Sequence, residues 1–189
     1  TELCDFLHEQ NHEIDIPSTL RSRWLYLKPW KFIDVALERR KISQLRKNTG
    51  VDLWLSYHTY YKAPDLLGPY CSDRLSIPYV IFQGIYSTKR RRKLKTLPGF
   101  LLNRRALLAA DMVFTNKKID EHNLKRIVPE EKVTYITPGI NPDQFRFDLV
   151  SRRALKESWN VSDRKIILTT AMLRPRVKTI GVEKVIECC

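Results

Sequence analysis

The chain has 189 residues, 43% of them hydrophobic, and a net charge of +13, which gives it enough length for a buried core and too many apolar runs for a disordered tail. No run approaches the roughly 20 apolar residues of a membrane span, the start lacks the regions of a signal peptide, and Cys4, Cys71, Cys188 and Cys189 show no CxxC spacing or disulfide framework. The excess of Lys and Arg calls for an anionic partner, whether nucleic acid, an acidic lipid leaflet or a phosphorylated small molecule, and the cysteine usage points to a reducing cytoplasm with no metal site. Thr1 is not an initiator methionine, so further sequence is expected upstream.

In chain order, Leu3, Phe6 and Leu7 share one face of a helix expected over 1–11, and His12-Glu13-Ile14-Asp15-Ile16 alternates like a short strand that Pro17 ends. A helix is expected over 31–47, with Phe32, Val35, Ala36, Ile42 and Leu45 inward, Glu38, Arg39, Arg40 and Lys41 outward, and Gly50 as its stop. Strands are expected over 51–56 and 77–82 with a helix over 64–75 between them, then helix 100–110, strand 111–115, helix 119–127 and strand 132–136. Such alternation predicts an α/β fold, a parallel sheet with helices on both faces. The turn formers from Pro138 to Asp143 and a helix over 151–159 read as a linker, and a strand from Lys165 to Thr170 opens a second unit.

That strand runs into Ala171-Met172-Leu173-Arg174-Pro175-Arg176-Val177-Lys178-Thr179-Ile180-Gly181 and a helix. Three cations beside the free N–H groups of a helix start suit a phosphate or diphosphate; the plainer alternative is solvated charge. His58 follows a buried strand, where α/β sheets bind ligands, and Gln83 follows the next, with an amide suited to a sugar hydroxyl. A packed, hydrogen-bonded histidine is the alternative for His58. Lys89, Arg90, Arg91, Arg92, Lys93 and Lys95 form a run of six cations in seven positions ahead of Leu97, Phe100, Leu101 and Leu102. A basic run beside an apolar one suits an anionic membrane, and also a solvated loop; no nucleic-acid motif accompanies it. Trp24, Trp30 and Trp54 read as packing residues rather than sugar platforms, although Trp24-Leu25-Tyr26 near Pro29 could shape a lid.

These passages, in this order, resemble the retaining glycosyltransferases of the GT-B fold (group 1, family 4 type), in which two Rossmann-like domains face each other across a cleft. Leu3 to Ile16 is similar to the family's "L-x-x-x-L-x-x-x-G-H-E-V", with Asn11 where glycine is usual, and Asp111 to Asn116 to its "A-D-x-V-x-x-x-S". Tyr135 to Phe145 resembles "P-N-G-V-D, then F", and Ile166 to Gly181 resembles "V-G-R-L, then K-G". Met172 stands at the usual arginine, leaving Arg174 or Arg176 to supply the guanidinium, and Thr179-Ile180 separates Lys178 from Gly181.

The resemblance implies an acceptor-side Rossmann-like domain over 1–148, lacking its first strand, and a linker helix with the first strand and helix of a nucleotide-sugar domain over 149–189. It implies transfer of a hexose from a nucleotide-diphosphate sugar, with no other cofactor, to a lipid-linked acceptor in polysaccharide or glycolipid synthesis, by a cytoplasmic enzyme peripheral to the inner face of the membrane. Arg174 and Lys178 would hold the donor diphosphate, His58 and Gln83 would face the acceptor, and the run from Lys89 to Lys95 would touch the membrane. The family's paired glutamates would lie beyond Cys189, so these residues alone are expected to be inactive. The alternative is a non-enzymatic basic α/β module that binds anionic membrane or nucleic acid.

Overall fold

The apolar runs at 54–59, 79–84, 112–115 and 133–135 become the strands of one sheet, and the segments between them supply the helices that cross from one strand to the next. The computed structural model describes residues 2–45, 50–139, 142–168 and 177–188, in two compact units, Thr1–Gly139 and Ile140–Cys189. The first unit contains α1 (Glu2–Glu9), α2 (Phe32–Leu45), β1 (Trp54–Thr59), α3 (Gly68–Leu75), β2 (Tyr79–Gly84), α4 (Leu97–Ala109), β3 (Met112–Thr115), α5 (Lys118–Leu124) and β4 (Val133–Tyr135). All neighbouring strands are parallel, in the order β1-β2-β3-β4. This is the Rossmann-like architecture that the alternation predicts.

The ladder opens at Trp54↔Tyr79, three residues later than the apolar run suggests. Pro78 has no N–H to donate, so pairing begins at Tyr79, and Val51 and Leu53 stay outside the sheet, 41% and 46% exposed. Trp54, Tyr79, Ile81, Val113 and Val133 share the face that packs against the helices, joining Phe100, Leu107 and Leu124 in the core. A second buried cluster, from Leu25, Val35, Ile42, Leu66, Leu67 and Cys71, ties α2 and the segment before it to α3. Both clusters use one sheet face; on the other, Leu55 and Tyr57 are 39% and 61% exposed.

Two local expectations fail for physical reasons. Residues 12–16 form no strand: an alternating pattern needs a neighbouring ladder to satisfy its backbone, and no described strand lies beside it. Helix α2 buries Val35 and Ile42 as expected, but Phe32 and Ala36 are exposed. Arg39, expected outward, turns in and donates to the Leu66 carbonyl from Nε (3.1 Å) and Nη2 (2.6 Å), with its guanidinium 4.9 Å from the Tyr70 ring centre. Trp30, Ile33 and Leu37 are 65%, 65% and 61% exposed, so the region carries apolar side chains on its outer side as well.

In the second unit, α6 (Leu149–Ser158) starts at Asp148, whose Oδ1 accepts the Val150 N–H at 2.9 Å and whose Oδ2 accepts the Ser151 hydroxyl. These bonds hold the Asp148 carboxyl below its ordinary range. Residues 165–168 carry no ladder; the rest of the strand expected there, 169–170, lies outside the described residues. The helix expected after it is α7 (Val177–Glu187).

Gly99, in the first turn of α4, fixes how closely that helix approaches the loop after β1. A Cβ there would collide with the backbone carbonyl of Tyr61 and the ring of Tyr26. Gly99→Ala is expected to lower unfolding free energy by about 1–3 kcal/mol in urea denaturation, despite alanine's better helix propensity. A neutral or stabilising result would show that the loop does not sit there.

Candidate functional site

The carboxyl ends of β1 and β2 share an unusual backbone. His58 and Gln83 both have left-handed φ, 67° and 61°, and lie at one level of the ladder, between the pairs Tyr57↔Phe82 and Thr59↔Gly84. A left-handed conformation costs a non-glycine residue roughly 1–2 kcal/mol, and paired outliers at strand ends suit a functional role. They also reset the alternation: Tyr57 points outward, 61% exposed, yet Thr59 two residues later is fully buried.

The side chains meet: His58 Nδ1 lies 3.2 Å from Gln83 Oε1. With the amide oxygen accepting, Nδ1 carries the proton and Nε2 keeps a lone pair that can accept from a hydroxyl. The two residues expected to face an acceptor are thus brought together. Asp120 joins them from the first turn of α5, after β3. Burial raises its carboxyl above the ordinary range, opposed by the nearby charges of Lys117 and His58. Neither Asp120 nor Lys117 was expected from the sequence, although the rule that selects His58, a loop beyond the carboxyl end of a parallel strand, applies to them equally.

A polar relay holds this end of the sheet. Asp65 Oδ1 accepts from the N–H groups of Leu67 (2.9 Å) and Gly68 (2.8 Å) at the start of α3. Its Oδ2 accepts from the Tyr79 hydroxyl (2.7 Å) and from Ser56. The Asp65 N–H donates to Thr59 Oγ1 (3.0 Å), which donates to Asn103 Oδ1 (2.9 Å), and Asn103 Nδ2 donates to the Ile85 carbonyl (2.8 Å). Burial, reinforced by the Asp65 carboxylate, pushes the Tyr79 phenol far above its ordinary range, so it remains a donor. Burial likewise pushes the Cys71 thiol up to about 12, which keeps it protonated.

The basic run does not act as one surface. Lys89, Arg91, Arg92, Lys93 and Lys95 are exposed, as is Leu94 at 89%. Arg90 is drawn in: its guanidinium carbon lies 4.5 Å from the Tyr61 ring centre and its Nε is covered without a hydrogen-bond partner. On the donor side, Lys178 falls in the first turn of α7, while its side chain, Arg174 and Arg176 lie outside the described residues. No helix is long and apolar enough to cross a membrane and no cluster could hold a metal ion, among the described residues.

The fold on which this site sits is shared with solved structures. The Anabaena protein Alr3699/HepE, whose crystal structure is in complex with UDP, matches with a TM-score of 0.64 at 14% identity, over 100% of this chain and 48% of that one. The chain therefore spans about half of the length of that structure's chain. No family model and no curated protein matches the sequence.

Carbon-detected NMR titration should place the Asp120 midpoint above the ordinary aspartate value of about 3.8. Because protonated His58 favours the carboxylate, His58→Ala should move that midpoint higher still. An Asp120 that titrates normally, or ignores the loss of His58, would separate the two residues.

Proposed function

We propose that the chain is the acceptor-side part, and the opening of the donor part, of a glycosyltransferase. The enzyme moves a sugar from a nucleotide-diphosphate donor to an acceptor in the synthesis of a polysaccharide or glycolipid. The observation that carries this reading is the joined His58–Gln83 pair in left-handed backbone at the carboxyl edge of the parallel sheet. Support comes from a fold matched along the whole chain by a protein solved with UDP. Residues 1–148 form the acceptor-side domain in this reading, and 149–189 the linker helix and start of a donor domain.

Transfer from such a donor needs charge stabilisation of the departing diphosphate. Lys178, with Arg174 or Arg176, supplies it at the start of α7, where backbone N–H groups add their own partial charge. His58 Nε2 and the Gln83 amide orient the acceptor hydroxyl. The reaction retains anomeric configuration, as in the GT-B enzymes the sequence resembles, and further catalytic groups come from sequence beyond Cys189. The exposed cations Lys89, Arg91, Arg92, Lys93 and Lys95, with Leu94 between them, dock on an anionic leaflet and bring a lipid-linked acceptor within reach. Vesicle binding that outlasts duplex DNA binding as salt is raised would separate this role from a non-enzymatic nucleic-acid module.

These 189 residues alone should transfer no sugar. In the longer protein, calorimetry should find nucleotide-sugar binding that Lys178→Ala weakens roughly tenfold, the loss of one charge-assisted contact to phosphate. Unchanged affinity would remove Lys178 from the donor site, and the absence of any nucleotide-sugar binding would overturn the proposed function.

A further inference from the structure

Beside His58 the chain builds a row of aromatic rings. The His58 and Tyr60 ring centres are 4.8 Å apart, those of Tyr60 and Tyr61 5.9 Å and those of Tyr61 and Trp24 6.1 Å. The backbone holds the row in place. Trp24 takes a left-handed φ of 59° and its N–H donates to the Lys62 carbonyl at 2.6 Å. Tyr60 and Ala63 close a tight turn through two backbone bonds of 3.3 and 3.0 Å.

Two cations flank the row. Lys62 Nζ lies 5.5 Å from the Trp24 ring centre and 5.7 Å from that of Tyr61, while the Arg90 guanidinium covers the Tyr61 ring. Neither cation has a carboxylate partner among the described residues. Stacking on rings orients a cation without neutralising it. Trp24, Tyr60, Tyr61, Lys62 and Arg90 are all half-buried, so each keeps a surface for a ligand. Arg90 Nε is covered, which leaves the terminal guanidinium nitrogens as the donors.

We propose that this row is a subsite for a phosphorylated saccharide, resting on the glycosyltransferase reading and naming the class of acceptor that reaches His58. Pyranose C–H faces pack on aromatic rings, and an unpaired Lys and Arg beside one ring suit a phosphate rather than a neutral sugar. The row ends at the His58–Gln83 pair, so a saccharide along it presents a hydroxyl to Nε2 with its phosphate at Lys62 and Arg90. The same chemistry is met in a free glycosyl phosphate and in a lipid-linked one. Trp24 thus becomes a sugar platform rather than a packing residue.

The test needs no donor domain, so its failure is distinct from a failure of nucleotide-sugar binding in the longer protein. Ligand-observed NMR on the 189-residue chain would compare glucose 1-phosphate, glucose, inorganic phosphate, citronellyl-linked glucosyl phosphate and a single-stranded oligonucleotide. Glucose 1-phosphate should bind more tightly than glucose or phosphate. Lys62→Met and Arg90→Met should each weaken it roughly tenfold, with Lys62→Gln as a second variant should either methionine disturb the fold. Arg126→Met, which removes as much charge elsewhere, should leave it unchanged. A citronellyl form that binds more tightly, with the same dependence on Lys62 and Arg90, assigns a lipid-linked source, and equal binding a free one. Glucose or phosphate binding as well as the conjugate would overturn the proposal. So would an equal loss in the control variant, or tighter binding of the oligonucleotide.

Discussion

The carboxylate of Asp65 is the contact on which the site-bearing end of the sheet depends. One oxygen takes two N–H groups that would otherwise be unpaired at the start of α3, and the other takes hydroxyls from β1 and β2. Hydrogen bonds to a charged group contribute about 1.5–3 kcal/mol each, and buried donors left without partners are costly. The backbone of Asp65 extends the linkage through Thr59 and Asn103 to the Ile85 carbonyl, just after β2. Two strands and two helices are thus locked together around the points where His58 and Gln83 turn left-handed.

That lock explains how the strain persists. Each left-handed residue opposes folding by roughly 1–2 kcal/mol, and the packing beyond them offsets it. Thr59 is buried in its hydrogen bonds, and Gly84 is so close to Val113 that a Cβ would meet its methyl at 2.5 Å. The result is an imidazole held by an amide through one ring nitrogen. Asp120 adds a carboxylate whose burial keeps it responsive to the charge on that imidazole. These polar groups stand together at the edge where parallel sheets open to solvent.

Much of this was legible in the residues. The strand runs and the helices between them carry periodicities that require a parallel sheet, and the positions after the first two strands single out His58 and Gln83. Their joining was not legible, because it depends on two coincident left-handed residues that neither composition nor spacing signals. Arg90 looks like its five cationic neighbours until Tyr61, distant in sequence, comes to lie beneath it. Arg39, Phe32, Ala36 and the outward Trp30 were misassigned for a related reason: helical periodicity says which residues share a face, and only tertiary packing says which face is buried. Residues 12–16 alternate as a strand would, but pairing is a property of two segments.

Acceptor kinetics of the longer protein test the proposed function most directly, with transfer followed by release of nucleoside diphosphate. His58→Ala should lower kcat/KM for the acceptor roughly tenfold or more while the Kd for the nucleotide-sugar stays unchanged, the pattern of a group that acts on the acceptor alone. Unaltered acceptor kinetics, or an equal loss of nucleotide-sugar affinity, would contradict the placing of the acceptor at the His58–Gln83 pair.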